Sequence, residues 1–298
     1  MAASDRTLAD DITVIEINYE PDSPDAARVF RAMAGLIDAF YQIDRDLAHA
    51  VTTDIEPEVR LERVEAGSIR AYLKTVLLNV PDDALLNLEW RPLIGQYLVA
   101  GKHALLRRVE GKPRITDRRD ILGLRDELHA LAPSTGDSLL PPAPLPVDRI
   151  LWDLEALSRA VSQLREHDSA TYISAQQETR IETRLVVTPV DIESLLTESV
   201  VESDTTVNLL VKKPDYLGNS MWEFRLGDRI IEATMDDQNW LRRFRAGEIP
   251  LQPGDALQAK LLTKTARGFE GHDVSTRYHV LIVLGVIHVP PERQGELL

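Results

Sequence analysis

The chain has 298 residues, of which 44% are hydrophobic and 28% are charged, a composition typical of a globular protein. It contains no cysteine, which excludes disulfides, thiolate metal sites and cysteine nucleophiles and fits a reducing compartment. The polar N-terminus and the absence of a long apolar run predict a cytoplasmic protein without a secretion signal or a membrane-spanning helix.

The net charge of −14 is unevenly distributed along the chain. From Val207 onward there are 12 basic and 12 acidic residues, so the whole acidic excess lies in the first 206 residues. An acidic surface repels the phosphate backbone of nucleic acids. We therefore expect any contact with nucleic acid to involve only the C-terminal part of the chain.

The opening segment predicts the element order β-α-β-α. Ile12–Tyr19 reads as a strand, and Ser23 and Pro24 are typical of the first residues of a helix. Pro57–Glu65 predicts a second strand, and Ile69–Leu77 a short helix. The first helix has an apolar stripe formed by Val29, Phe30, Met33, Leu36, Ile37, Phe40, Ile43 and Leu47.

Helical patterns then continue as far as residue 132. The next stretch contains five prolines and predicts an extended connector between two helical regions. We therefore divide the chain into an N-terminal α+β domain over 1–132, a proline-rich connector over 133–147, a helical segment over 148–206 and a C-terminal domain over 207–298.

The C-terminal domain has the pattern of a small β-barrel. Short apolar and polar alternations are separated by turn sequences at Pro214–Gly218, Gly227–Asp228 and Pro253–Asp255. One short helix follows Asp236. Five short strands with one inserted helix favour a closed sheet, because closure removes exposed strand edges. The predicted fold class is therefore α+β, with a β-α-β-α plus helical N-terminal domain and a β-barrel-like C-terminal domain.

One acidic group in the C-terminal domain, Glu232 with Asp236 and Asp237, could bind a divalent metal or perform acid–base chemistry. This group suggests a metal-dependent hydrolase or nuclease as one alternative function. The competing interpretation is structural: Asp236 caps the short helix, and Asp237 supports the helix dipole.

A basic group offers a different alternative, a single-stranded nucleic-acid site in which an aromatic side chain stacks on bases. Its candidate residues are Lys212, Lys213, Tyr216, Arg242, Arg243 and Arg245. Against it, the domain contains as many acidic as basic residues, and the pattern places its tryptophans in the core.

Recognisable catalytic and cofactor-binding motifs are absent from the sequence. The seven histidines show no spacing typical of metal ligands, and no glycine-rich phosphate loop or nucleophile elbow occurs. We therefore expect a protein that is not an enzyme and has no cofactor.

Two regions carry a resemblance to known sequences. The first comprises INYEPDSPDAARVFRAMAGLIDAF and VRLERVEAGSIRAYLK, and the second comprises LLVKKPDYLGNSMWEFRLGDRIIEATMDDQNWL and LQPGD. Together they resemble uncharacterised bacterial proteins encoded beside mobile-element or anti-phage genes. The resemblance implies a component of a multi-protein defence system, but it implies no activity and no site residue.

These observations favour a non-enzymatic binding, adaptor or sensor protein. The expected partners are other protein subunits, including further copies of the chain itself. Nucleic acid is expected to bind, if at all, only through the C-terminal domain, and no membrane association is expected.

Overall fold

In a computed structural model of the protein, the described residues are 12–20, 25, 27–65, 68–78, 90–133, 142–216, 220–252, 254–269 and 271–288. The chain forms two compact units, Met1–Leu195 and Leu196–Leu298. The first unit combines one sheet with several helices, and the second contains a closed five-stranded barrel. The predicted α+β fold class with a C-terminal β-barrel is therefore confirmed.

The first unit is organised around a five-stranded antiparallel sheet with the strand order β2-β3-β1-β4-β5. The elements in chain order are β1 (Ile12–Asn18), α1 (Ala27–Val51), β2 (Glu56–Glu65), β3 (Ile69–Leu78), α2 (Trp90–Val109), α3 (Arg118–Leu131), α4 (Val147–Val161), β4 (Ser169–Ile173), β5 (Glu178–Ile181) and α5 (Pro189–Leu196). The central strand is β1, whose Ile15 lies opposite Ala71 on one side and Tyr172 on the other. Ile15 is fully buried, as a central apolar residue should be.

Helix α1 buries most of the apolar stripe predicted from its sequence. The buried members are Val29, Met33, Leu36, Phe40, Ile43 and Leu47. Phe30 is 62% exposed, and Ile37 is half-buried, because both lie at the margin of the buried face. A neighbouring face of α1 meets α4, where Gly35 approaches Ala160 closely.

The segment Ile69–Leu77, predicted to be a helix, is instead part of strand β3. Ile69, Ala71 and Leu73 are all buried, and each pairs with a residue of β1. In so short a segment the apolar spacing fits a helix as well as a strand, so tertiary pairing decides the structure. The opening elements therefore follow the order β-α-β-β.

Strands also occur in the segment 148–206, which we predicted to be helical. Helix α4 ends at Val161, and β4, β5 and the first ten residues of β6 follow within this segment. Burial alternates along β4, where Ala170 and Tyr172 are buried and their neighbours are half-buried. Of the connector predicted at 133–147, residues 134–141 lie outside the described residues, and 142–146 have no regular structure.

The second unit is a barrel with the strand order β10-β8-β7-β6-β9, closed by the pairing of β9 with β10. Its elements are β6 (Thr197–Lys213), β7 (Trp222–Leu226), β8 (Arg229–Met235), α6 (Gln238–Arg245), β9 (Ala256–Gly268) and β10 (Asp273–Ile287). Neighbouring strands are antiparallel except β8 and β10, which are parallel. The core includes Leu209, Phe224, Leu257 and Val280, all with no exposed surface.

Three strands of the second unit extend beyond the barrel. β6 pairs with β7 only over Leu210–Lys213, and β10 pairs with β8 only over Tyr278–Val280. Outside those residues, β6 and β10 pair only with β9 among the described residues. This three-stranded extension, here called the arm, comprises Thr197–Thr206, Leu262–Gly268 and Asp273–Arg277.

The close approach of α1 and α4 predicts that a larger residue at position 35 destabilises the protein. A Cβ at Gly35 would lie 3.0 Å from Ala160 Cβ and 3.1 Å from Ala160 Cα, and neither atom can swing away. We expect Gly35→Ala to lower the free energy of unfolding by about 1 kcal/mol, because the strain of overpacking exceeds the gain in helix propensity.

The matched control is Gly95→Ala in α2, where no atom lies within 4 Å of the added Cβ. We expect this variant to gain about 0.5–1 kcal/mol from helix propensity alone. Urea unfolding followed by circular dichroism measures both variants. Equal stability of the two alanine variants would contradict the close packing.

Candidate binding surface

The structure brings one residue of the predicted basic group, Tyr216, next to helix α6. The ring of Tyr216 lies 5.1 Å from that of Phe244, and Tyr216 is 56% exposed. The three arginines project from the exposed face of α6, and Lys212 and Lys213 are exposed at the end of β6. The three arginines are Arg242, Arg243 and Arg245.

Much of the positive charge of this group is already paired. Lys212 Nζ forms an ion pair with Glu223, and Arg243 Nε lies 3.2 Å from Glu248 Oε2. Arg242 donates a hydrogen bond to Asn239. Such surface pairs contribute little to stability, but they reduce the positive potential that a phosphate backbone would meet.

The aromatic side chains near α6 form core rather than a stacking platform. Trp222 is 1% exposed and Trp240 is 7% exposed. Trp240 stacks on Phe244 with ring centroids 5.4 Å apart. Stacking on bases requires an accessible ring face, so of these rings only Tyr216 presents one to a ligand.

The acidic residues Glu232, Asp236 and Asp237 have separate structural contacts. Asp237 is the N-cap of α6: its Oδ1 accepts from Trp240 N at 3.0 Å, and its Oδ2 accepts from Val283 N at 3.1 Å. The cap is thus one residue later than the sequence suggested. Asp236 Oδ2 lies 3.0 Å from His279 Nδ1.

Glu232 lies on β8 directly opposite Glu223 of β7. Within the part of the chain that the structure describes, no group of three or more His, Cys, Asp or Glu side chains is placed to hold a metal ion. The metal-dependent alternative therefore gains no support from this arrangement.

The arm is a surface that the sequence patterns did not reveal. Val200 and Val201 are adjacent in β6, so they point to opposite faces of the arm, and they are 55% and 43% exposed. Phe269, in the turn between β9 and β10, is 46% exposed. Apolar side chains therefore reach water on both faces and near the outer end of the arm.

Cross-strand ion pairs hold one face of the arm together. Lys264 Nζ lies 2.8 Å from Glu202 Oε1, directly across the strand pair. Lys260 Nζ, at the root of the arm, lies 3.9 Å from Asp204 Oδ2. Cross-strand pairs of opposite charge stabilise the local register by a few tenths of a kcal/mol each, about the range for exposed pairs.

The first unit contains a buried ion pair between α1 and α2. Lys102 Nζ lies 2.5 Å from Asp44 Oδ1, and Thr75 Oγ1 donates to Asp44 Oδ2 at 3.1 Å. Both charged residues are at most 2% exposed. The pair is satisfied internally and closed to solvent, so it fixes the two helices rather than presenting a site.

A second buried contact joins α2 to the β4–β5 hairpin. His103 Nδ1 lies 2.7 Å from Thr179 Oγ1, and His103 Nε2 lies 3.0 Å from Ser174 Oγ. Burial, with lesser effects of the Arg107 and Lys102 charges, lowers the pKa of His103 to about 4. The ring is therefore neutral at physiological pH and serves as a structural bridge.

Two carboxylates remain incompletely satisfied at the interface of α1 and α4. Asp153 Oδ1 accepts from Gln42 Nε2 at 2.9 Å, whereas the Oδ2 atoms of Asp153 and Asp46 are buried without a partner among the described residues. Burial raises the pKa of Asp153 well above its usual range, and the charge of Asp46 raises it further. Burial likewise raises the pKa of Asp46.

A cleft of about 520 Å³ lies beside the edge strand β5. Its charged lining mixes acidic and basic groups, among them Glu110, His167 and Arg180. Glu182, also in the lining, is fixed by hydrogen bonds from the backbone N–H groups of Gly111 and Arg184. The lining shows no nucleophile with a base and no set of metal ligands, so it suggests no specific chemistry.

The fold and these surfaces define an α+β protein with an antiparallel sheet unit and a barrel unit that carries an exposed arm. No protein-family model matches the chain, and neither curated proteins nor solved structures gave a significant match. In the described parts of the chain, every helix is too short or too polar to cross a lipid bilayer.

The burial of Asp153 predicts how the stability of the protein depends on pH. A carboxyl whose pKa is raised by folding stabilises the fold fully only below its ordinary pKa near 4, and this stability is lost as the pH rises through the raised value. Asp153→Asn removes the charge and keeps the shape. We expect the variant to be about 1–3 kcal/mol more stable than the wild type at pH 7, because a buried charged oxygen without a partner costs more than a neutral amide in the same place.

The difference should shrink toward pH 4, where the wild-type carboxyl is protonated. Urea unfolding at pH 4, 5.5 and 7 measures it, with Asp38→Asn as a control for an exposed carboxyl on α1. A stability difference that is the same at every pH would show that the Asp153 carboxylate carries no such cost.

Proposed function

We propose that this protein is a non-enzymatic, cytoplasmic binding component of a bacterial multi-protein system, and that the arm of its second unit binds a partner protein. The sequence resemblance suggests anti-phage defence as the context. The observation that carries the proposal is the arm itself, a three-stranded sheet with exposed apolar side chains on both faces.

A sheet that is exposed to water on both faces buries little apolar surface, so burial contributes little to its stability. Stable sheets normally bury at least one face against a core, and exposed apolar residues on a strand edge favour further pairing. Among the described residues, a ladder of hydrogen bonds and several ion pairs connect the three strands of the arm, and the barrel anchors them. A partner that covers Val200 or Val201 would supply the missing burial, at about 25 cal/mol for each Å² of apolar surface.

The geometry favours this role over the nucleic-acid alternative. Lys212 and Arg243 are engaged by acidic neighbours, and Tyr216 is the only ring of the basic group available for stacking. The metal-dependent alternative is disfavoured because both oxygens of Asp237 accept backbone hydrogen bonds. Protein binding requires none of these groups.

The proposal predicts the effect of charging the arm. We expect Val200→Glu and Val201→Glu to weaken binding to a partner encoded by a neighbouring gene by at least about tenfold, because a buried unpaired carboxylate is costly. The partner is identified by co-expression and co-purification, and its affinity is measured by isothermal titration calorimetry.

The matched control is Ile230→Glu on β8 of the barrel, where the isoleucine is 59% exposed. This variant should bind the partner with unchanged affinity. The proposal is wrong if products of the neighbouring genes fail to bind, or if the arm variants bind as well as the wild type.

A further inference from the structure

One side of the arm ends in an unpaired strand edge. Between Val200 and Thr206, β6 pairs with β9 in regular antiparallel register, and no other strand pairs with it in the part of the chain that the structure describes. In an antiparallel ladder, every second residue directs its backbone N–H and C=O groups away from the neighbouring strand. This stretch, here called the β6 edge, therefore offers about three or four residues whose backbone groups can bond to another strand.

The β6 edge carries charge of one sign. It contains Glu202 and Asp204, Glu198 precedes it, and no Lys or Arg occurs from Thr197 to Thr206. Successive side chains of a strand point to opposite faces, so Glu202 and Asp204 share one face with Val200. Their side chains are 53% and 62% exposed. The edge thus presents a row of exposed carboxylates beside open backbone groups.

Two lysines of β9 neutralise this row from one side. Lys264 Nζ lies 2.8 Å from Glu202 Oε1, and Lys260 Nζ lies 3.9 Å from Asp204 Oδ2, close to the limit for an ion pair. On the side that faces away from β9, the described residues place no ion pair with either carboxylate. A cation that approaches along the free edge would therefore meet unopposed negative charge.

The charge also distinguishes the β6 edge from the edges of the first unit. On the edge strand β2, Arg60 pairs with Glu58, and Arg63 pairs with Glu65. The other edge strand, β5, contains one acidic and one basic residue. An edge of a single sign repels an identical strand and a phosphate backbone, and it attracts a strand of the opposite charge.

We infer that the partner of the arm contributes an extended strand with basic side chains at alternate positions, and that this strand adds to the β6 edge. The inference rests on the proposed function and specifies the chemistry of the partner. Backbone hydrogen bonds would supply affinity, and Lys or Arg beside Glu202 and Asp204 would supply specificity. On the other face, β-branched or hydroxyl side chains would pack beside Ser203 and Thr205.

Two synthetic peptides test the inference without the partner itself. In one peptide lysine alternates with threonine, and in the other glutamate replaces every lysine. We expect the lysine peptide to shift the amide resonances of Val200–Thr206 in an NMR titration. It should bind at least about tenfold more tightly than the glutamate peptide, because several opposite-charge neighbours replace like charges. Added salt should weaken this binding.

Variants of the arm should change the affinity for the lysine peptide in opposite directions. Glu202→Gln combined with Asp204→Asn should weaken binding about three- to tenfold, since two exposed ion pairs are lost. Lys264→Gln should strengthen binding, because it releases Glu202 from its internal partner and removes a like charge. A general loss of structure cannot produce these opposite changes. The matched control is Asp228→Asn in the β7–β8 turn, where the carboxylate is fully exposed, and it should bind like the wild type.

Three results would overturn the inference: a lysine peptide that binds no better than the glutamate peptide, a double variant that binds like the wild type, or a Lys264→Gln variant that binds more weakly. Failure of the proposed function gives a different result, in which the lysine peptide binds the β6 edge but no neighbouring gene product binds the arm. A gene product whose binding depends on Val200 but not on Glu202 and Asp204 would support the proposed function and overturn the inference.

Discussion

Strand β9 holds the second unit together, because it pairs along its whole length with β6 on one side and β10 on the other. In the barrel half, Leu257, Ala259 and Leu261 point inward and are buried. In the arm half the same ladder continues, but Thr263 and Thr265 at the equivalent alternate positions are only half-buried. The arm is therefore ordered by backbone pairing that begins in the barrel, and the binding proposed for it depends on this continuity.

The sequence predicted the secondary structure correctly where the turn residues and the apolar periodicity indicated the same element. The hairpin between β7 and β8 turns at Gly227, whose φ of 58° favours glycine, and the stripe of α1 repeats at helical spacing. The first half of β6 was not predictable in the same way. Its residues Thr197–Thr206 are mostly polar on both faces, and they form a strand because they pair with β9, more than 50 positions later.

The contacts of individual side chains were also only partly predictable from the sequence. The sequence identified the right region for the cap of α6 but chose Asp236, because either aspartate fits an N-cap by residue type. The ion pair of Asp44 with Lys102 joins residues 58 positions apart, and nothing local in α1 or α2 specifies that contact. One feature of the sequence could have indicated a buried ion pair here: Asp44 is an acidic residue within an apolar helical stripe, between the buried Phe40 and Leu47.

The central claim is that the arm is the surface that binds a partner protein. Hydrogen–deuterium exchange of the chain alone and with a co-purified neighbouring gene product tests it most directly. We expect those amides of Val200–Thr206 that face away from β9 to exchange quickly in the isolated protein and to become protected in the complex. Barrel amides such as that of Val211, which donates to Asp255 O, should be protected in both states. Unchanged exchange in the arm, with new protection confined to other surfaces, would contradict the claim.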